Sequence, residues 1–67
     1  MLDIRKKEVI LAMAELNMNE SEVARKMHVH RNTVVYQCEQ ILKKTGLNPS
    51  NFYDLVKLVE MVKEGPL

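Results

Sequence analysis

Apolar side chains recur at helical spacing in four successive stretches of this 67-residue chain, and only short breaks separate the stretches. Residues that favour helices, such as Ala, Leu, Met, Glu, Lys and Arg, dominate them. The whole chain contains only two Gly and two Pro, which disfavours a turn-rich β architecture. The pattern predicts an all-α fold, a small bundle of about four helices in one domain over residues 1–67.

Capping residues define the expected bounds of these helices, which are 3–16, 20–27, 31–44 and 49–63. Each predicted N-terminus has a residue suited to cap it: Asp3, Asn19, His30 and Asn48. Glu22 would complete a capping box with Asn19, and Pro49 suits the first position of the last helix. Gly46 and Gly65-Pro66 are the expected stops of the third and fourth helices.

Each predicted helix has an apolar face that would turn inward. The inward residues are Leu2, Val9, Ala12, Met13 and Leu16, then Val23, Ala24 and Met27, then Val34, Cys38, Ile41 and Thr45, flanked by Val35 and Leu42, and finally Phe52, Leu55, Val56, Val59 and Val62. There are four further apolar residues, which are more than the core of one small domain should be able to bury: Ile4, Leu11, Leu58 and Met61. We therefore predict a two-fold homodimer formed by the terminal helices. The alternative is that these four residues complete the core of a monomer.

Several classes of protein are disfavoured by what the chain lacks. No apolar run reaches the ~18 residues of a membrane span and no signal-peptide pattern is present, so a cytoplasmic protein without membrane contact is expected. No nucleophile–base pair, carboxylate dyad or phosphate-binding glycine loop indicates an enzyme, a cofactor or a small-molecule ligand. His28, His30 and Cys38 lack a fourth ligand at a familiar spacing, so no metal site is expected.

The net charge of +1 conceals an uneven distribution along the chain. Residues 21–48 carry five basic and two acidic side chains, a net charge of +3, whereas residues 1–20 and 49–67 each carry −1. A positive region of this kind is a modest electrostatic signature of a polyanion partner.

The second and third predicted helices have the proportions of a helix-turn-helix motif. Ala24 is small enough to let the two helices cross closely, and Val29 would plug the three-residue turn between them. The opposite face of the third helix carries Asn32, Thr33, Tyr36, Gln37, Glu39, Gln40, Lys43 and Lys44. All of these except Glu39 can donate a hydrogen bond or carry positive charge, which favours reading of a DNA major groove.

Residues 23–48, VARKMHVHRNTVVYQCEQILKKTGLN, resemble the C-terminal helix-turn-helix of the PucR-type regulators, which include the sugar-diacid regulators. The resemblance rests on Val29 followed by His-Arg-Asn-Thr, an aliphatic residue and Tyr36, and on Thr45-Gly46-Leu47 at the helix end. A looser resemblance to the Fis-type helix-turn-helix points to the same activity. Val35, Gln37 and Cys38 stand where family members have basic residues and a Leu, so this chain has less positive charge there, and its affinity and site preference are not implied by the resemblance.

The motif and the resemblance together imply a sequence-specific DNA-binding protein, a transcriptional regulator of a bacterial or phage kind whose partner is double-stranded DNA. The implied DNA-binding residues are Arg31, Asn32, Thr33, Tyr36, Gln37, Gln40, Lys43, Lys44, Arg25, Lys26 and His30. In the family, this domain usually stands at the end of a longer regulator that also contains a sensory domain. Ligand control would belong to that sensory domain, so the resemblance does not imply it for these residues. The alternative function is a small helical protein–protein interaction module that uses the apolar face of helix 49–63.

Overall fold

A computed structural model describes residues 2–64, which form four helices: α1 (Ile4–Glu15), α2 (Glu20–Met27), α3 (Arg31–Thr45) and α4 (Phe52–Glu64). No strand occurs within these residues, and the predicted all-α bundle is confirmed. The bounds of the first three helices lie within one residue of the prediction. The predicted stop at Gly65-Pro66 lies outside the described residues. None of the helices in the described range is both long and apolar enough to cross a bilayer.

Local capping explains why the first three helices begin where they do. The side chain of Asp3 accepts a hydrogen bond from the Lys6 N–H at 2.8 Å, which also lowers the pKa of the Asp3 carboxyl. Asn19 accepts from the Glu22 N–H at 3.1 Å, and Nδ1 of His30 accepts from the Asn32 N–H at 3.1 Å. The three predicted caps are therefore confirmed.

Helix α4 begins three residues later than predicted, and Asn48 is not its cap. The Asn48 side chain accepts from the Ser50 N–H at 2.9 Å and closes a turn, while Pro49 is buried. Asn51 caps the helix by accepting from the Asp54 N–H at 3.1 Å, and the Asp54 carboxylate accepts from the Asn48 N–H at 3.0 Å. Hydrogen bonds from the Ser50 and Asn51 N–H groups to Asn48 close residues 48–51 into a turn, and Asn51 becomes the cap.

Helix α1 is the central element of the bundle, since it packs against α2, α3 and α4. Helices α2 and α3 pack on each other, and α4 packs on α1. The fully buried aliphatic side chains that join them are Val9, Ile10, Met13, Val23, Val34, Ile41 and Leu58. Ile10 was missing from the predicted inward face of the first helix.

The predicted apolar face of the last helix is wrong at two positions. Phe52 and Val56 are 58% and 42% exposed, whereas Leu55 and Leu58 are buried. The reason is that the apolar arc of α4 is wider than the strip that α1 can cover, and α1 covers the side of Leu55 and Leu58. The prediction that Leu58 is spare interface surface is therefore also wrong. Ile4 and Met61 are exposed.

Candidate nucleic-acid interface

The turn between α2 and α3 is held by backbone hydrogen bonds at the end of α2. His28 adopts the left-handed conformation, with φ 59° and ψ 42°, and its N–H donates to the carbonyls of Ala24 and Arg25. The Val29 N–H donates to the Ala24 carbonyl at 3.0 Å, which completes the usual closure of a helix C-terminus. Val29 packs against the core, as predicted, and α3 begins at once after the His30 cap.

Close packing of α2 on α3 fixes which face of α3 points outward. Val23 and Ala24 of α2 are buried, as are Val34 and Cys38 of α3. Only a small side chain at residue 24 lets the two helices approach at this point. Val34 and Cys38 therefore face the core, and the opposite side of α3 is left to solvent.

The outward face of α3 brings together most of the sequence-predicted site residues. Asn32, Tyr36 and Lys43 are exposed and lie along one side of the helix, since they are spaced by four and seven residues. Lys44 is also exposed, whereas Thr33, Gln37 and Gln40 are half-buried. The protruding surface is thus narrower than the predicted eight-residue face.

Gln37 differs from its neighbours in where its amide group lies. Its Oε1 atom is buried and has no hydrogen-bond partner among the described residues. A buried amide oxygen without a partner is costly, because the group has lost its hydration. Gln37 therefore sits at the edge of the exposed face and not at its centre.

The basic residues of α2 and the start of α3 are each paired with a carboxylate. Nη1 of Arg25 lies 3.0 Å from Oε2 of Glu22. Nζ of Lys26 lies 2.7 Å from Oε1 of Glu15, and this hydrogen bond lowers the pKa of the Glu15 carboxyl. Lys43 and Lys44 have no such ion pair within residues 2–64. Lys44 nevertheless lies near enough to Asp3 to help lower the pKa of that carboxyl.

A third pair joins the two helices of the motif. Nη2 of Arg31 donates to Oε1 of Glu20 at 3.0 Å. The sequence alone does not identify Glu15 and Glu20 as ion-pair partners of Lys26 and Arg31, because each glutamate is 11 residues away from its cation. Only the Glu22–Arg25 pair has a local signal, since residues three apart are neighbours on a helix.

The N-terminal end of α3 is partly occupied by its own cap. His30 accepts from the Asn32 N–H through Nδ1 and from the Thr33 N–H through its carbonyl, the latter at 2.9 Å. These two amides are therefore already bonded. An anion at this end of α3 would still meet the positive end of the helix dipole.

Cys38 is buried on α3, whereas His28 and His30 are exposed. Burial raises the pKa of the Cys38 thiol to about 11, with smaller contributions from the Glu20 and Glu39 carboxylates, so the thiol is neutral near pH 7. No group of three or more His, Cys, Asp or Glu side chains within the described range is arranged to hold a metal ion.

An apolar groove of about 320 Å³ lies between the end of α1 and α4. Its apolar lining residues are Met13, Ala14, Met18, Phe52, Leu55, Val56 and Val59. No residue of α2 or α3 lines it. A molecule bound in this groove would therefore not cover the outward face of α3.

A family model described as the PucR C-terminal helix-turn-helix domain matches residues 7–61. The matched segment runs from α1 into α4 and includes the turn and all of α3. No curated protein and no solved structure gives a significant match to the chain.

Proposed function

Since the chain belongs to the family of PucR C-terminal helix-turn-helix domains, which supports a DNA-binding regulatory role, we propose that it is a sequence-specific transcriptional regulator. It inserts α3 into the major groove of double-stranded DNA. The observation that carries the proposal is the outward line of Asn32, Tyr36 and Lys43 on a helix whose other side is fixed by α2. Residues 1–67 then act as one DNA-binding domain.

The exposed residues divide by chemistry into two roles. Arg31 and Asn32 at the start of α3 contact base edges, because guanidinium and amide groups match the donor and acceptor pattern of the major groove. Tyr36 and Gln40 lie further along the same helix and are candidates for base or sugar–phosphate contacts. Lys43 and Lys44 bind phosphates, and Arg25 and Lys26 do so once DNA displaces their carboxylate partners.

DNA binding by the wild-type protein should depend strongly on salt, since most of its affinity would come from phosphate contacts. Each neutralised phosphate contributes about −0.9 to the slope of log K against log salt. With Lys43 and Lys44 as phosphate contacts, and Arg25 and Lys26 as two further ones once their carboxylate partners are displaced, we expect a slope of about −2 to −4 per protomer. Fluorescence anisotropy on random-sequence duplex DNA between about 50 and 200 mM salt measures this slope. The absence of binding near 50 mM salt would refute the proposed function.

We further propose that two copies associate through the groove between α1 and α4. The surface differs from the predicted one, because Leu58 is buried and Leu11 lies on the other side of α1, in a groove with Met27. Phe52 and Val56 are exposed beside the apolar groove instead. A two-fold dimer of this kind would present two copies of α3 to successive DNA half-sites.

Replacing Val56 by lysine should convert the dimer to a monomer in sedimentation velocity at tens of micromolar, because it places a charge in the apolar groove. Ile4→Lys is the matched control, since Ile4 is 75% exposed on α1 and does not line the groove. Loss of the dimer by Ile4→Lys and not by Val56→Lys would move the interface to the start of α1. A monomeric wild-type protein would refute dimerisation altogether.

A protein–protein interaction module remains the second candidate function. It is favoured by the exposed Phe52 and Tyr53 rings, whose centroids lie 5.5 Å apart next to the groove. The two functions predict different perturbed residues in NMR titrations. DNA should shift the amide signals of residues 31–44, whereas a protein partner should shift those of residues 52–62.

The regulator that we propose belongs to a bacterial or phage control circuit. It acts in the cytoplasm and binds DNA without catalysing a reaction. It needs no metal, cofactor or small-molecule ligand for this role.

A further inference from the structure

The ion pair between Glu20 and Arg31 joins the beginnings of the two helices of the motif. Glu20 is the first residue of α2, directly after its Asn19 cap, and Arg31 is the first residue of α3, directly after its His30 cap. A single hydrogen bond of 3.0 Å links Nη2 of Arg31 to Oε1 of Glu20. The contact therefore sets where the guanidinium lies relative to both helices.

The two side chains of this pair differ in how much of each reaches solvent. The Glu20 side chain is 22% exposed, whereas the Arg31 side chain is 55% exposed. Glu20 is thus the enclosed member of the pair and Arg31 the protruding one. A guanidinium has five N–H donors, so one bond to Glu20 leaves others available at its outer edge.

The other two pairs of the interface lack this arrangement. Glu22 and Arg25 belong to the same helix, and the Arg25 side chain is 75% exposed. In the pair of Glu15 with Lys26, both side chains are more than half exposed, and an ammonium has no planar edge to orient. Only the Glu20–Arg31 pair combines an enclosed carboxylate with a planar donor group at the start of α3.

We propose that Glu20 is a positioning residue that holds the Arg31 guanidinium in the orientation needed to recognise a base edge, an inference that rests on the proposed DNA binding. A long side chain loses rotamer freedom when it binds, and prior fixation reduces that loss. The Glu20 carboxylate also repels phosphates, which weakens binding to every sequence alike. Only the fixed orientation of Arg31 raises the discrimination between the specific site and other DNA, because a loss that is equal on all sequences cancels in the affinity ratio.

The test compares affinity for a site selected from a random library with affinity for random-sequence DNA. Glu20→Met keeps the chain length but removes the acceptor, so the affinity ratio should fall about threefold to tenfold. Glu20→Gln keeps an acceptor oxygen and should restore part of the ratio. Glu22→Met is the matched control and should leave the ratio unchanged, because Glu22 does not contact Arg31. An equal gain in affinity on both DNAs for Glu20→Met would overturn the proposal.

A second measurement needs no DNA and separates this proposal from the proposed function. ¹⁵N relaxation of the Arg31 side-chain Nε should show restricted motion in the wild type and faster motion in Glu20→Met. Unchanged motion would overturn the positioning role even if DNA binds. A double-mutant cycle on DNA separates the positioning role from indirect structural effects. In the Arg31→Ala background no guanidinium is left to position, so Glu20→Met should no longer change the affinity ratio.

Discussion

Replacing Leu58 by alanine is expected to lower the free energy of unfolding by about 2–5 kcal/mol. Leu58 is completely buried where α4 packs on α1, so the change removes apolar contacts and leaves a cavity. A domain of 67 residues has a total stability of only about 3–10 kcal/mol. The loss is therefore a large fraction of the total stability, and urea denaturation followed by circular dichroism should show it as a clearly lower midpoint.

Met61→Ala provides the matched control for Leu58→Ala. Met61 lies three residues later on the same helix but is 45% exposed, so the expected loss is within about 0.5 kcal/mol. The two variants should differ at any protein concentration, because the Leu58 contacts lie within one protomer. Equal losses, or a loss for Leu58→Ala that vanishes on dilution, would show that Leu58 acts between protomers.

Arg31→Ala should weaken binding to the specific site by about 1–3 kcal/mol and relax the preference at the base pair that it contacts. The reason is that a guanidinium at the first position of α3 can donate two parallel hydrogen bonds to a guanine edge. Competition anisotropy with single-base variants of the selected site measures both effects. If the affinity of Arg31→Ala for the specific site is unchanged, Arg31 is not part of the DNA interface.

Lys43→Ala is the contrasting variant for the same assay. Lys43 is exposed near the end of α3 and has no ion pair within the described residues, which fits a phosphate contact. Its loss should weaken binding alike on all sequences and reduce the salt slope by about 1. A loss confined to one sequence would contradict the phosphate role.

The parts of the fold that could be predicted are those controlled by neighbouring residues. Asp3, Asn19 and His30 cap helices through hydrogen bonds to amides two or three residues away, and such patterns are visible in the sequence. Gly46 ends α3 in the left-handed conformation, with φ 76°, for the same local reason. The motif of α2, turn and α3 follows from these signals together with the small residue at position 24.

The parts that could not be predicted depend on contacts between distant residues. Both Asn48 and Asn51 can cap a helix, but Asn48 closes a turn around the buried Pro49 and Asn51 caps α4. Leu58 and Val56 are equally apolar, and only the position of α1 makes one buried and the other exposed. The Glu20–Arg31 pair forms because the fold brings the first residues of α2 and α3 together. The periodic pattern within a single helix contains no signal for such a contact.

The packing of α1 on α4 also constrains the order in which the domain can fold during synthesis. Val9, Ile10 and Met13 leave the ribosome before the strip of α4 that covers part of this core, which includes Leu58. A ribosome adds about 5–20 residues per second, so α1 waits for seconds with an uncovered apolar side. The α2–α3 motif can form in that interval, but the core closes only after the final helix has emerged.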